Sequence, residues 1–473
     1  MLISSQQEIQ IGKESAQEIQ KQYGYYPDAQ LKSYVGQVGQ KLVAQCQRRD
    51  IQYRFHVLDT PVINAFALPG GYVYVTRGIL ARMNSEDEMA AVLGHELTHV
   101  AARHGAQELS KAYVAQAGLA AVAIFSPTVA QGVGQLAGAA LNLAFLGYSR
   151  GLEAQADEYG ITYAEKAGYN PRGAVKMFQM FETIEKDQPD RMERFLMSHP
   201  PTPERLAYAN SRVGEASQAA PKLLDQPLKR DVFLRHIDGL LLGQSKGDKV
   251  IIGDTLTLKS DRLGLRVPLE YQANLSPEDP DAVASFERTL KGGGGQALQY
   301  VLALEVHPAG KAAGADDFGR RYLAGLKVQH AVLDSGTLTT AQGEAMATRR
   351  VDVAVQGGQL RLLMAFAVRG GKGIVLYGFT TPSAFAGAEP EFRKIMKTLA
   401  FLSEKDAASV RPPHLRLIST RAGDTWQGIA QRELGKPGLG DELAKYNGIF
   451  RTDRQPDGGM LLKIPDVASL KEP

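Results

Sequence analysis

Residues 95 to 99 read His95-Glu96-Leu97-Thr98-His99, an HExxH string. On a helix, positions i and i+4 project from one face, so two imidazoles converge on one Zn²⁺ while Glu96 leans toward the metal-bound water. That is the core of a zinc hydrolase. Catalytic zinc takes three protein ligands and keeps one position for water, so one ligand is still missing. Gly151-Leu152-Glu153-Ala154-Gln155-Ala156-Asp157 opens a second helical stretch with Glu153 and Asp157 one turn apart. A glutamate there closes a His₂Glu site, and the aspartate can hold a ligating imidazole in its tautomer. The competing account of either motif is a solvated helix face; finding both in one chain weighs against it.

These residues need elements to carry them. Ser85 is placed to cap a helix whose first turn is Glu86-Asp87-Glu88 and whose apolar stripe is Met89, Val92, Leu93, Leu97 and Val100. Residues 1–48 show helical spacing at Ile9, Ile11, Ile19, Leu31, Tyr34, Val35, Val38 and Leu42. Lys176 to Phe181 continues the helical theme after Gly173. Tyr72-Val73-Tyr74-Val75-Thr76 alternates after the Pro69-Gly70-Gly71 turn and predicts a strand near the cleft. The first domain, 1–212, is therefore expected to be mainly α with a small β-sheet.

With these motifs in hand, the chain resembles the HtpX-like and CAAX-prenyl-protease-like zinc metallopeptidases, gluzincins of HExxH and ExxxD pattern, in the BepA/LoiP-like periplasmic type. The likeness runs over roughly residues 5–212. It extends through Asn64-Ala65-Phe66-Ala67-Leu68-Pro69-Gly70-Gly71-Tyr72-Val73-Tyr74-Val75-Thr76-Arg77-Gly78, then Ala102-Arg103-His104-Gly105-Ala106, then Ser198-His199-Pro200-Pro201-Thr202-Pro203-Glu204-Arg205. The resemblance implies one zinc per chain held by His95, His99 and Glu153, Glu96 as general base, and Asp157 orienting a ligand histidine. It places His199 near the metal, facing a developing oxyanion or standing as a fourth ligand that must leave. Arg205 braces the site or meets the substrate backbone, with a surface salt bridge at a helix start as the alternative. It further implies that strand 72–76 offers a free edge to an extended substrate, against an ordinary core strand.

At 473 residues the chain exceeds one ordinary core, and about three domains are expected. Lys and Arg number 54 against 51 Asp and Glu, a net charge of +3, too slight to argue for nucleic acid or an anionic membrane. Cys46 is the only cysteine, which excludes an intrachain disulfide. The start, Met1-Leu2-Ile3-Ser4, has neither a basic nor an apolar leader region. The resemblance nevertheless implies a periplasmic or envelope-associated protein whose signal or lipoprotein anchor lies outside this chain. Residues 112–149 carry no charge, but Pro127 and several Gln and Asn interrupt them, so two helices in a hairpin are expected rather than a membrane span.

Residues 213–232 read as a linker. From 233 to 405, runs such as Val250-Ile251-Ile252, Tyr300 to Val306, Arg349 to Val355, Leu360 to Phe366 and Gly373 to Gly378 predict strands, with a closing helix at 392–399: an α+β domain of unknown role. Its glycine run at 292–295 lacks phosphate-loop spacing and reads as a hairpin tip. His236, His307 and His330 stand isolated. Residues 414–467, with Gly423-Asp424-Thr425-Trp426 and Asn447-Gly448, resemble the small βααβ LysM module, which implies peptidoglycan as a partner beside unfolded or extended protein substrates. No nucleic acid is expected, and membrane proximity stays open. Two functions follow: a zinc endopeptidase in envelope protein quality control, or an autoinhibited, chaperone-like binding protein with a closed zinc site.

Overall fold

Helix α1 (Ser5–Tyr23) begins at a capping box in which Ser4 and Gln7 satisfy each other's backbone N–H, and α2 (Ala29–Val43) begins where Asp28 accepts from Gln30 and Leu31. The computed structural model describes residues 2–117, 147–187, 198–199, 202–275, 282–291, 297–355, 358–450 and 454–470. It divides into two compact units, Met1–Leu242 with Pro413–Pro473, and Gly243–Pro412.

In the first unit, strands β1 (Arg54–Leu58), β2 (Ala65–Leu68) and β3 (Tyr72–Thr76) form a sheet in the order β1-β3-β2. β1 runs parallel to β3, and β2 pairs antiparallel with it from Ala65↔Val75 to Leu68↔Tyr72. Gly70 and Gly71, at φ +80° and +100°, make the connecting turn; a Cβ at Gly71 would stand 2.3 Å from Gln52 O. This corrects the reading of strand 72–76 as an edge. Alternation states that a strand has two faces and says nothing about its neighbours, and here β3 is flanked on both sides while β2 lies at the margin.

Helix α3 (Arg77–Arg82) leads into α4 (Glu86–Ala101), capped by Ser85 Oγ accepting from Glu88 N–H. Every residue of α4 from Glu86 to Val100 is buried. It is a central helix, and the acidic residues of its first turn, which an apolar stripe leaves on the other face, are buried because each has hydrogen-bond partners. Glu86 accepts from Tyr34 Oη at 2.8 Å, Asp87 from the backbone N–H of Asn170 and Lys229, and Glu88 from Asn84 N–H. Helix α5 (His104–Ala117) follows, then α6 (Arg150–Lys166), α7 (Arg172–Asp187) and α8 (Pro203–Ala219). α6 crosses α4 with backbone against backbone: a Cβ at Gly94 would lie 2.5 Å from Gly160 O, and one at Gly160 2.6 Å from His95 N.

The stretch 213–232 is not an open linker. It completes α8, forms α9 (Pro221–Leu224) and begins α10 (Arg230–His236), and Asn170 and Arg172 donate to Leu224 O. Its Ala, Ser and Gln content suits an exposed helix as well as a spacer. Residues 413–470 do not stand apart either. Strand Arg416–Ser419, helices Trp426–Leu434 and Gly440–Tyr446, and strand Leu461–Ile464 follow in βααβ order, the two strands antiparallel. Their apolar faces enter the same core as Val92 and Phe178, through Leu415, Trp426, Ile429, Leu443, Leu462 and Ile464. Lys463 is wholly buried and its Nζ donates to the carbonyls of Ala81, Arg82 and Met83 at 2.8, 3.0 and 2.7 Å.

The second unit is sheet-rich and begins at 243 rather than 233, since Phe233 and Leu234 lie in the first core. Among the described residues it holds a seven-stranded antiparallel sheet ordered 330–339, 345–355, 358–369, 372–380, 297–308, 282–291, 272–274, and a five-stranded one. Helices Ala315–Gly325 and Phe385–Met396 pack on it through Phe318 and Phe392. The expected strands are present; strand 330–339, almost wholly exposed, carries no alternating pattern and was not anticipated. The glycine run at 292–295 and most of 112–149 fall outside the described residues. No described helix is long and apolar enough to cross a membrane.

A candidate metal centre

Helix α4 turns His95 and His99 to one side, and the close crossing at Gly94 and Gly160 sets the first turn of α6 beneath them. His95 Nε2 and His99 Nε2 are 3.0 Å apart, and Glu153 reaches them at 3.5 and 3.3 Å. His199 enters from a separate segment with Nδ1 3.2 Å from His95 Nε2 and 3.1 Å from Glu153 Oε2. The four donor atoms all lie within 4.8 Å of one another and all four residues are buried. Tetrahedral zinc with nitrogen ligands near 2.0–2.1 Å spaces its donors by about 3.3 Å. The cage fits that ion.

Around the cage the outer atoms are also bound. Asp157 Oδ1 sits 2.9 Å from His95 Nδ1, and Arg205 grips the same carboxylate with Nε at 2.6 Å from Oδ2 and Nη2 at 2.7 Å from Oδ1. Arg205 also comes within 3.3 Å of Glu153 Oε2 and stacks over Phe178 at 5.1 Å. With its side chain 11% exposed, it is no surface salt bridge. Glu96 is buried with Oε1 3.6 Å from His199 Nε2. His99 touches two residues to which the motifs assign no role: Tyr148 stacks on its ring at 4.1 Å, and His104, present in the resemblance only as part of the string 102–106, has Nδ1 2.9 Å from its Nδ1. His104 in turn meets Gln155 Oε1 at 2.7 Å. Periodicity could not have found Gln155, since it falls off the face that Glu153 and Asp157 share. His236, His307 and His330 have local partners, Val232 O, Glu305 and Val328 O.

Burial opposes charge throughout the centre. It pushes Glu96 up and His99 well below its ordinary value. Burial would raise Glu153 and Asp157 as well, but His199 and His95 hold Glu153 well below the usual carboxylate range, and Arg205 and His95 hold Asp157 below it. These two carboxylates stay anionic, as a cation site requires.

With this geometry, the comparison with known families is direct. Residues 29–213 match peptidase family M48. The HExxH string at 95–99 and the Glu153 and Asp157 pair both fall inside the matched residues. The chain is similar to the mitochondrial metalloendopeptidase OMA1 of Schizosaccharomyces pombe, 29% identical over 216 residues, covering 44% of this chain and 62% of that protein. It is similar to the metalloprotease YcaL of Escherichia coli, 32% identical over 163 residues, covering 34% and 61%. It is also similar to the beta-barrel assembly-enhancing protease of Escherichia coli, 26% identical over 222 residues, covering 45% of each. The chain thus spans less than two thirds of the length of these relatives. Among solved structures, cyanobacterial PsbP of Synechocystis is 15% identical and covers 34% of this chain and 98% of that one at a TM-score of 0.25, too low to carry an argument.

Proposed function

We propose that the M48 segment is a zinc-dependent endopeptidase of gluzincin type. The observation that carries this reading is the convergence of His95, His99 and Glu153, from two helices, on one buried point beside Glu96. In this reading those three residues hold the ion. Zinc, when bound, supplies a Lewis acid that acidifies water and polarises the scissile carbonyl. Glu96 takes the proton of the attacking water and returns it to the leaving amine, and its burial favours the protonated form that the second step needs. Asp157 holds His95 in the tautomer that presents Nε2 to the ion, and Arg205 fixes Asp157. The substrate lies extended along the margin of β2, reading backbone more than side chains, which predicts loose sequence selectivity.

A second reading shares the same residues. His199 Nδ1 stands in the donor set, 3.2 Å from His95 Nε2, which favours a resting site closed by a fourth ligand that leaves when substrate arrives. The alternative, a chaperone-like protein with a permanently closed site, keeps this contact and discards turnover. Cleavage of casein that a chelator abolishes and zinc restores supports the endopeptidase; zinc binding without cleavage under any condition supports the closed protein.

For the biological setting we propose the bacterial envelope, with unfolded or misassembled envelope proteins as substrates. Support comes from the E. coli relative named for enhancing beta-barrel assembly. The βααβ order of residues 416–464 supports a LysM-like module with peptidoglycan as its partner, and the finer likeness to HtpX-like and CAAX-prenyl-protease-like enzymes belongs to the same proposal.

A further inference from the structure

The two ligand histidines are braced differently. Behind His95 stands a carboxylate; behind His99 stands a neutral pair, His104 and Gln155. His104 opens α5, is 0% exposed, and uses both ring nitrogens, Nδ1 toward His99 Nδ1 at 2.9 Å and Nε2 toward Gln155 Oε1 at 2.7 Å. Gln155 lies on α6 between Glu153 and Asp157. The ring planes are fixed as well, with Tyr148 stacked on His99 and His104 set edge-on at 76°.

Two imidazole nitrogens at this distance share one proton, so the chain has two polarities. In the first, the Gln155 amide donates to His104 Nε2, His104 Nδ1–H donates to His99 Nδ1, and His99 keeps its proton on Nε2. That nitrogen then has no lone pair for a cation. In the second, His99 Nδ1–H donates to His104 Nδ1, His104 Nε2–H donates to Gln155 Oε1, and His99 Nε2 is free to coordinate. Only the second agrees with a cage in which His99 Nε2 faces His95 Nε2 and Glu153.

We propose that His104 and Gln155 form a neutral relay that holds His99 in its ligating tautomer, making both positioning residues for the metal. The proposal rests on zinc occupying the cage. It also gives α6 three tasks at once: Glu153 as ligand, Asp157 behind one histidine, and Gln155 behind the other.

The test measures zinc affinity of the full chain by competition with a chromogenic chelator, alongside the thermal midpoint of the zinc-free protein. Gln155→Leu and His104→Phe should weaken zinc by roughly 10–100-fold. Gln155→Glu, which keeps an acceptor opposite His104 Nε2–H, should bind zinc at parental affinity or tighter. Imidazole ¹⁵N shifts of the zinc form should report a proton on His99 Nδ1 and on His104 Nε2. If Gln155→Leu lowers the zinc-free midpoint but binds zinc like the parent, these residues only pack and the proposal is overturned. Should His104→Phe fail to fold, Gln155→Leu decides alone, since its side chain is partly exposed. A parent that binds no zinc defeats the metal reading itself, whereas a parent that binds zinc beside unaffected variants defeats only the relay.

Discussion

Lys463→Met tests how far residues 413–470 stabilise the first unit. Lys463 Nζ places its three donors on three successive carbonyls, those of Ala81, Arg82 and Met83, which end α3 just before the Asn84-Ser85 turn into α4. Burial pulls this ammonium well below its usual value, and Arg230 adds to that pull while Glu88 opposes it. Three carbonyl acceptors nonetheless require three protons, so the charged form is the one the geometry holds. Methionine keeps the apolar stem and removes every donor. Hydrogen bonds from a charged group contribute roughly 1.5–3 kcal/mol each, and relief of the desolvated charge returns part of that sum. A net loss of about 3 kcal/mol is expected, close to the lower bound for stripping one partner from a buried charged cluster. For a unit of about 300 residues that lowers the melting temperature by roughly 4–6 °C. Scanning calorimetry with and without zinc identifies the first unit as the transition that zinc raises. If Lys463→Met leaves that transition where it was, the segment is an appendage and the reasoning fails.

Glu96→Gln should retain zinc and lose roughly 10²–10⁴-fold in casein turnover, as expected for removal of a general base; equal turnover would remove Glu96 from the mechanism. His199→Ala should speed cleavage of a short peptide if His199 closes the resting site, and slow it if His199 steadies the oxyanion; kcat on one fluorogenic peptide separates the two. Gly160→Ala places a methyl 2.6 Å from His95 N, against backbone that cannot yield cheaply. Overpacking costs about 1–3 kcal/mol, and zinc affinity should fall with stability as Glu153 is levered away from the histidines. His56 supplies the pH dependence. It lies between the rings of Tyr25 and Tyr74, its Nδ1 has no hydrogen-bond partner, and burial, then Lys32 and Arg54, hold it down to about 4. The unfolded chain therefore takes up this proton first, so the contribution is complete above about 6.5 and is lost as pH falls toward 4. Urea midpoints at pH 7.5 and 4.5 should converge in His56→Phe by roughly 1–2 kcal/mol relative to the parent, once partial exposure is allowed for.

The metal cage is legible because its parts are written in helical periodicity: His95 and His99 one turn apart, Glu153 and Asp157 one turn apart. Residue types and spacing also set out the strands of the second unit. What local sequence does not carry is adjacency. Nothing in Tyr72–Thr76 says that Arg54–Leu58 lies on one side and Ala65–Leu68 on the other. The stripe of α4 records its apolar residues but not that Glu86 and Asp87 are buried against Tyr34, Asn170 and Lys229. His104 and Gln155 come from different helices, and neither is placed by a spacing rule. The return of residues 413–470 to the first core depends on Lys463 meeting carbonyls nearly four hundred residues earlier.

That return has a consequence for how the polypeptide is made. The backbone leaves the first unit beside the place where it comes back: Leu241 bridges His414, and Leu242 N–H donates to Pro413 O at 2.8 Å. Residues 243–412 are thus an insertion between two segments that meet at one bridge, and joining the flanks directly should leave the remainder able to close. During synthesis the situation is reversed. A nascent chain has its histidines and Glu153 long before Trp426 and Ile464 emerge, so the first core stays unsealed until residues some three hundred positions beyond Glu153 have been translated.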